Sequence, residues 1–156
     1  MRIGHGIDVH RFSDDVTHSL WLGLVEIPDA PGLQGHSDAD VATHALCDAL
    51  LGAANLGDLG RHFPDTDPEF EGASSRRLLA ATVALVAATG LRTVSADVTI
   101  LAERPKLSNF MSRMSDELSG VVGALVTVKA TTAEGLGALG RAEGIGASAV
   151  ALLDDV

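Results

Sequence analysis

Asp8-Val9-His10 and, further along, His44 are the residues best placed to do chemistry. Side chains two apart on a strand share a face. In an extended run from Arg2 to Phe12, Gly4, Gly6, Asp8 and His10 therefore fall on one face, and Ile3, His5, Ile7 and Val9 on the other. The first face sets a carboxylate beside an imidazole, with glycines leaving room next to them. His44 lies in Asp40-Val-Ala-Thr-His-Ala-Leu-Cys-Asp-Ala-Leu-Leu, which reads as a helix. If that helix packs beside the first strand, one oxygen and two nitrogen ligands converge. Three protein ligands with a fourth position open make up a catalytic zinc site. The alternative is that the three residues are unrelated, because Asp-x-His pairs arise by chance in many chains.

The elements that must position these residues follow from pattern and punctuation. Ser13-Asp-Asp is a turn signal after the first strand. Ser19 to Ile27 reads as a second extended segment, a hairpin arm, followed by a Pro28-Asp-Ala-Pro-Gly loop. Ser37 or Asp38 can cap the first helix, which runs to about Ala53. Gly57 to Pro68 reads as a long polar loop. Ser74 or Ser75 caps a second helix with Leu79, Val83 and Val86 as its buried stripe, and Gly90 suits its end. Val94, Ala96, Val98 and Ile100 alternate with polar residues as a strand. Pro105 opens a connection to a third helix, about Asn109 to Ser119. Leu125 to Thr131 is a strand, Glu134 to Arg141 a Gly-rich loop, and Ile145 to Leu153 a last strand rich in small residues. Strands separated by helices predict an α/β (α+β) layer: one domain over residues 1–156, a mixed four-stranded sheet with helices on one face, and a short hairpin arm.

Composition narrows the function. The chain has 156 residues, enough for one domain with a substantial core, and 46% of them are hydrophobic, which excludes disorder. Its formal net charge of −10 argues against nucleic acid as a partner. An acidic protein that binds phosphates needs local positive charge, and bound cations are the obvious source. No apolar run is long enough to span a bilayer, and Met1-Arg-Ile-Gly-His lacks the apolar stretch of a signal peptide. The single cysteine, Cys47, lies in an apolar helical pattern and reads as a core thiol in a reducing cytoplasm.

Eight segments together resemble the 2-C-methyl-D-erythritol 2,4-cyclodiphosphate synthase family. In order they are Arg2-Ile-Gly-His-Gly-Ile-Asp-Val-His, His36-Ser-Asp-Ala-Asp-Val, Ala42-Thr-His-Ala-Leu, Gly57-Asp-Leu-Gly, Phe63-Pro-Asp-Thr-Asp, Pro105-Lys, Lys129-Ala-Thr-Thr-Ala-Glu and Gly140-Arg-Ala-Glu-Gly. The resemblance spans nearly the whole chain. It implies a cytoplasmic bacterial enzyme, or one of the plastid stroma if a transit peptide was removed, that forms a homotrimer with active sites between subunits. The implied substrate is 4-diphosphocytidyl-2-C-methyl-D-erythritol 2-phosphate: the 2-phosphate attacks the β-phosphorus, CMP leaves, and a cyclic diphosphate forms.

The resemblance also implies roles. Asp8, His10 and His44 would hold Zn2+ or another divalent transition metal, with Asp8, Val9 and His10 also at the substrate. Glu134 would serve Mg2+ or Mn2+ bridging the substrate diphosphate. His36 and Ser37 would meet the phosphorylated end, with His36 and Thr132 stabilising the transition state. Read from the residues alone, Ser37 is a helix cap, Thr131 and Thr132 a strand end, and Glu134 a solvated loop carboxylate. Asp58, Leu59 and Gly60, and Phe63, Pro64, Asp65, Thr66 and Asp67, would hold the ribose and methylerythritol portions; their plain reading is a turn-rich connection. Ala102, Glu103, Arg104, Pro105, Lys106, Leu107 and Ser108 would form the cytosine pocket, recognising largely through backbone, so that Glu103 and Arg104 need not be fixed.

Asp48, one turn after His44, could accept the imidazole N–H that is not on the metal. Ala39, Ala133 and Ala138 depart from the family's frequent Gly, Thr and Phe and bear on pocket shape. Arg141 could meet an isoprenoid diphosphate in the family's axial cavity. Two rival readings are a metal-dependent phosphohydrolase that admits water and a non-catalytic trimeric binder of isoprenoid diphosphates.

Overall fold

The computed structural model describes residues 1–156 apart from His36, Asp65 and Glu71. Among the described residues, six strands and five helices follow one another: β1 (Arg2–Arg11), β2 (Leu20–Leu22), β3 (Val25–Ile27), α1 (Val41–Ala53), α2 (Leu59–His62), α3 (Ser75–Ala88), β4 (Leu91–Leu101), α4 (Met111–Val122), β5 (Leu125–Thr131), α5 (Gly137–Gly140) and β6 (Gly144–Asp155). A 3-10 turn spans Pro68–Phe70. The main sheet has the order β1-β6-β4-β5, with β4 and β5 parallel and the other pairs antiparallel. The arm β2–β3 is a separate two-stranded sheet. This is the expected mixed four-stranded sheet with a hairpin arm.

Helix α1 is the core element. Eleven of its thirteen residues are buried, so it is apolar on nearly every side, as a helix enclosed by other elements must be. It lies on the inward face of β1 and β6, where Gly4 and Gly6 meet Ala147, Ala149 and Ala151. The glycines are required there. A Cβ on Gly6 would stand 2.1 Å from the Ala45 carbonyl oxygen, and one on Gly4 1.9 Å from that of Ala49. Backbone against backbone sets the distance between strand and helix.

Asp40, not Ser37 or Asp38, caps α1. Its buried carboxylate accepts the N–H groups of Thr43, Gly23 and Leu24 and the Thr43 hydroxyl, so one side chain ties the β2–β3 turn to the helix start. Burial pushes the Asp40 carboxyl above its ordinary range, against these four donors. Ser74 caps α3 as expected.

Other departures from the sequence expectations have local causes. The 57–68 segment is not a plain loop: Asp58 caps the short α2. The Gly-rich segment after Glu134 contains α5. Val94, expected on the inward face, is 39% exposed because a bulge between Thr93 and Ser95 adds a residue to β4 and turns Val94 outward. Ala96, Val98 and Ile100 keep the inward register.

Among the described residues, no helix covers the opposite face of the sheet. Ile3 is 72% exposed, Ile7 61% and Val9 56%, and they continue across the sheet into Ser148, Val150 and Leu152, then Ser95, Asp97 and Thr99. No helix among the described residues is long and apolar enough to cross a membrane.

Candidate metal centre and active site

Strand β1 and helix α1 bring Asp8, His10 and His44 together, with one potential ligand atom from each lying within 4.8 Å of the others. Asp8 Oδ2 is 3.2 Å from His10 Nε2 and 3.0 Å from His44 Nδ1. The remaining ring nitrogens are occupied. His10 Nδ1 lies 2.5 Å from the Gln34 carbonyl oxygen, so it donates there and leaves Nε2, which faces Asp8, as the nitrogen turned to the site. A Cβ on Gly35 would stand 3.0 Å from the His10 ring, so glycine lets the loop press against it. His44 Nε2 lies 3.1 Å from Ser75 Oγ and 3.2 Å from Ser37 Oγ. One carboxylate and two imidazoles, each ring anchored through its outer nitrogen, suit a divalent transition metal.

The electrostatics agree. Burial alone would raise the Asp8 pKa, but hydrogen bonds and charge from His10 and His44 outweigh it and hold the carboxyl far below the ordinary range. The Asp8 carboxylate raises His10 in turn, against its own burial. Cys47 is buried and its thiol is pushed up to about 12, which rules it out as a nucleophile.

Two cavities flank the sheet's ends. One of about 350 Å³ is lined by His10, Ser37 and His44 together with Leu59, Phe63 and Phe70. The other, about 320 Å³, is lined by Ala102, Glu103, Pro105, Lys106, Leu107 and Ser108 together with Thr131 and Thr132. They belong to opposite edges. Asp8 on β1 aligns with Ala147, Ile100 and then Ala130 on β5, so three strand spacings, roughly 14 Å, separate the edges.

The YgbB family's sequence model matches residues 1–154. The chain belongs to the YgbB family. It is 57% identical over 157 residues to a 2-C-methyl-D-erythritol 2,4-cyclodiphosphate synthase of Azotobacter vinelandii and 53% identical over 156 residues to one of Symbiobacterium thermophilum, with 98% of both chains covered in each case. Among solved structures, the CDP-bound form of a 2C-methyl-D-erythritol-2,4-cyclodiphosphate synthase superposes with a TM-score of 0.88 at 38% identity, covering 98% of this chain and all of that one. The bifunctional IspDF of Campylobacter jejuni gives a TM-score of 0.94 at 38% identity over 99% of this chain, which spans 42% of that longer protein.

The remaining candidates of this YgbB chain are placed as follows. Ser37 is beside His44; His36 and Asp65 lie outside the described residues. Leu59 and Phe63 face the metal-side cavity. Asp58 caps α2, and Asp67 accepts the Glu69 N–H, so both carboxylates also serve their own loops. Pro64 accepts the Asp67 N–H, and Gly60 and Thr66 lie in the same α2-to-3-10 connection. Thr132 donates to the Glu134 carboxylate at 3.1 Å and accepts the Glu134 N–H. Arg104 stacks on Phe12, Arg141 pairs with Glu143 at 3.4 Å, and Ala138 is an exposed residue of α5.

Two expectations need correction. Asp48 does not reach the His44 ring: its carboxylate accepts the Leu59 N–H at 2.7 Å and positions α2, while hydroxyls take His44 Nε2. Glu103 is not interchangeable, because its carboxylate accepts the N–H groups of Ala133 and Gly135 and holds the loop that presents Glu134 at φ +53°. Sequence reasoning also missed Asp38 and Ser75. The one signal was the Ser74-Ser75 pair: a helix start needs a single cap, so the second hydroxyl is free for other work.

Proposed function

We infer that this protein converts 4-diphosphocytidyl-2-C-methyl-D-erythritol 2-phosphate to 2-C-methyl-D-erythritol 2,4-cyclodiphosphate and CMP, in the non-mevalonate route to isoprenoids. The observation that carries the reading is the convergence of Asp8, His10 and His44 at a cavity mouth in a chain that aligns end to end with synthases of this reaction. An oxygen of the 2-phosphate forms a bond to the β-phosphorus, and the bond from that phosphorus to the CMP oxygen breaks. The nucleophile is already an anion, so no strong general base is needed; the obstacle is repulsion between two negative groups.

Asp8, His10 and His44 would hold a divalent transition metal such as zinc and Glu134 would hold Mg2+ or Mn2+; when bound, they would supply Lewis-acid polarisation and charge neutralisation. The chain's own residues do the positioning. His10 and His44 turn Nε2 and Nδ1 toward the site because their outer nitrogens are committed elsewhere. Ser37 offers a hydroxyl to the phosphorylated end, with His36 next to it in sequence. Thr132 and Glu134 form one hydrogen-bonded unit on a loop held by Glu103. The cavity from Ala102 to Ser108 takes the cytosine, and Leu59 and Phe63 to Asp67 border the sugar and methylerythritol portions.

Three features support a homotrimer with shared sites: the uncovered sheet face with exposed Ile3, Ile7 and Val9, the small-residue strand β6, and two half-sites on opposite edges of one chain. The reaction is tested by 31P NMR of the cytidyl substrate with purified protein. Cyclic diphosphate and CMP are expected; a linear phosphate would show a hydrolase instead. His44→Ala should lose both zinc and turnover, and full zinc retention by that variant would sink the ligand assignment.

A further inference from the structure

Ser75 is fully buried at the first position of α3, yet Ser74 already caps that helix. Its hydroxyl is therefore free for a different task. It contacts two groups, an Asp38 carboxylate oxygen and His44 Nε2 at 3.1 Å. Asp38 is fixed from the other side: its second oxygen accepts the Ser75 backbone N–H at 2.8 Å, and its first also faces the Asp40 N–H at 3.3 Å.

The protons on these groups can be assigned. An ionised carboxylate only accepts, and a serine hydroxyl has one hydrogen to give. Ser75 must therefore donate to Asp38, which turns its lone pairs toward His44. His44 then donates from Nε2, and Nδ1, 3.0 Å from Asp8 Oδ2, is the ring nitrogen turned toward the metal site. We propose that Asp38 and Ser75 are positioning residues for the metal site, forming a one-directional chain, Asp38 to Ser75 to His44, that fixes the tautomer and orientation of His44 so that Nδ1 is the ligand atom. The proposal rests on the metal-site reading above. It also leaves the Ser37 hydroxyl hydrogen uncommitted, since one His44 N–H is shared between two serine oxygens that both accept.

The chain has a direction, and that separates it from simple packing. Removing the hydroxyl with Ser75→Ala takes away the acceptor that Asp38 orients and leaves only Ser37 Oγ. Asp38→Asn goes further: its amide can donate to Ser75 Oγ, which frees the serine hydrogen for His44 Nε2 and drives the ring proton to Nδ1, where it blocks the metal. Outer partners of metal-bound histidines are worth about ten- to a hundred-fold in affinity. Ser75→Ala should weaken zinc binding by about that factor in chelator competition, and Asp38→Asn by at least as much.

The direct test needs no variant. 15N NMR of the histidine ring nitrogens in zinc-loaded wild-type protein should show His44 protonated at Nε2, with that Nε2 proton lost in Asp38→Asn. The Co2+-substituted d–d spectrum should shift in both variants while their thermal midpoints report folding. Zinc-loaded wild-type protein with no proton on His44 Nε2 overturns the proposal, as does wild-type zinc affinity in a folded Ser75→Ala. If wild-type protein holds zinc no better than His44→Ala, the metal site itself is wrong and the chain falls with it.

Discussion

At Asp8 a single carboxylate lies between two imidazoles, and the pH behaviour of the site follows. The low Asp8 pKa means that its contribution to stability is present above the unfolded value of 3.8 and is lost only as pH falls through the depressed folded value. His10 has the opposite sign. Its pKa is raised above 6.5, so its charged pairing with Asp8 stabilises the metal-free fold fully below pH 6.5 and is lost as pH rises through the folded value. A cation needs His10 neutral, so protons and metal compete. Apparent zinc affinity should fall by about tenfold for each pH unit below the raised His10 value, with close to one proton released per metal bound. Titration calorimetry in two buffers of different ionisation enthalpy measures that proton, and an affinity unchanged from about pH 8 to 5 would contradict it. The ligand set was legible in the sequence because a two-residue period and a helix pattern are local signals. Asp38–Ser75, Asp40 and Glu103 were not, because each joins a carboxylate to donors brought in by a separate loop, and no spacing rule encodes that meeting.

At the level of elements, the seam between β1 and α1 has no slack. Gly6→Ala would place a methyl 2.1 Å from the Ala45 carbonyl, so the helix would have to shift away from the strand that carries Asp8 and His10. A loss of about 3 kcal/mol or more is expected from urea midpoints, together with weakened zinc binding; a variant as stable as wild type would mean the seam can open freely. Asp40→Ala should cost about 3 kcal/mol or more, because it strands three backbone N–H groups and a hydroxyl in the core. A change under 1 kcal/mol in the same measurement, on the order of one exposed cap, would show that water replaces the carboxylate. Strand and helix order was readable from periodicity. The Val94 reversal was not, because a bulge is set by how β4 meets β6 and leaves the apolar pattern intact.

For the whole molecule, the proposed reading has neighbouring copies complete each other's sites across the uncovered sheet face. Light scattering should give a particle of about three times 16.0 kDa. A sharper test mixes two disabled variants, His44→Ala from the metal side and Lys106→Glu from the second cavity. Refolded together in equal amounts, they should regain about a quarter of wild-type sites, because each interface draws its halves from different chains. No recovery in verified mixed trimers would place both halves in one chain.

The architecture of the metal centre has a further consequence. Asp8 and His44 are 36 residues apart, on an edge strand and on the helix beneath it. An ion joining them is a cross-link, and closing a loop of that length is worth about 4 kcal/mol on chain-entropy grounds. Stripping the ion should therefore let β1 fray, speed its amide exchange and open the chain to proteases. In a cell short of the ion that fills this site, the protein would be degraded as well as idled, so its abundance would report the metal supply.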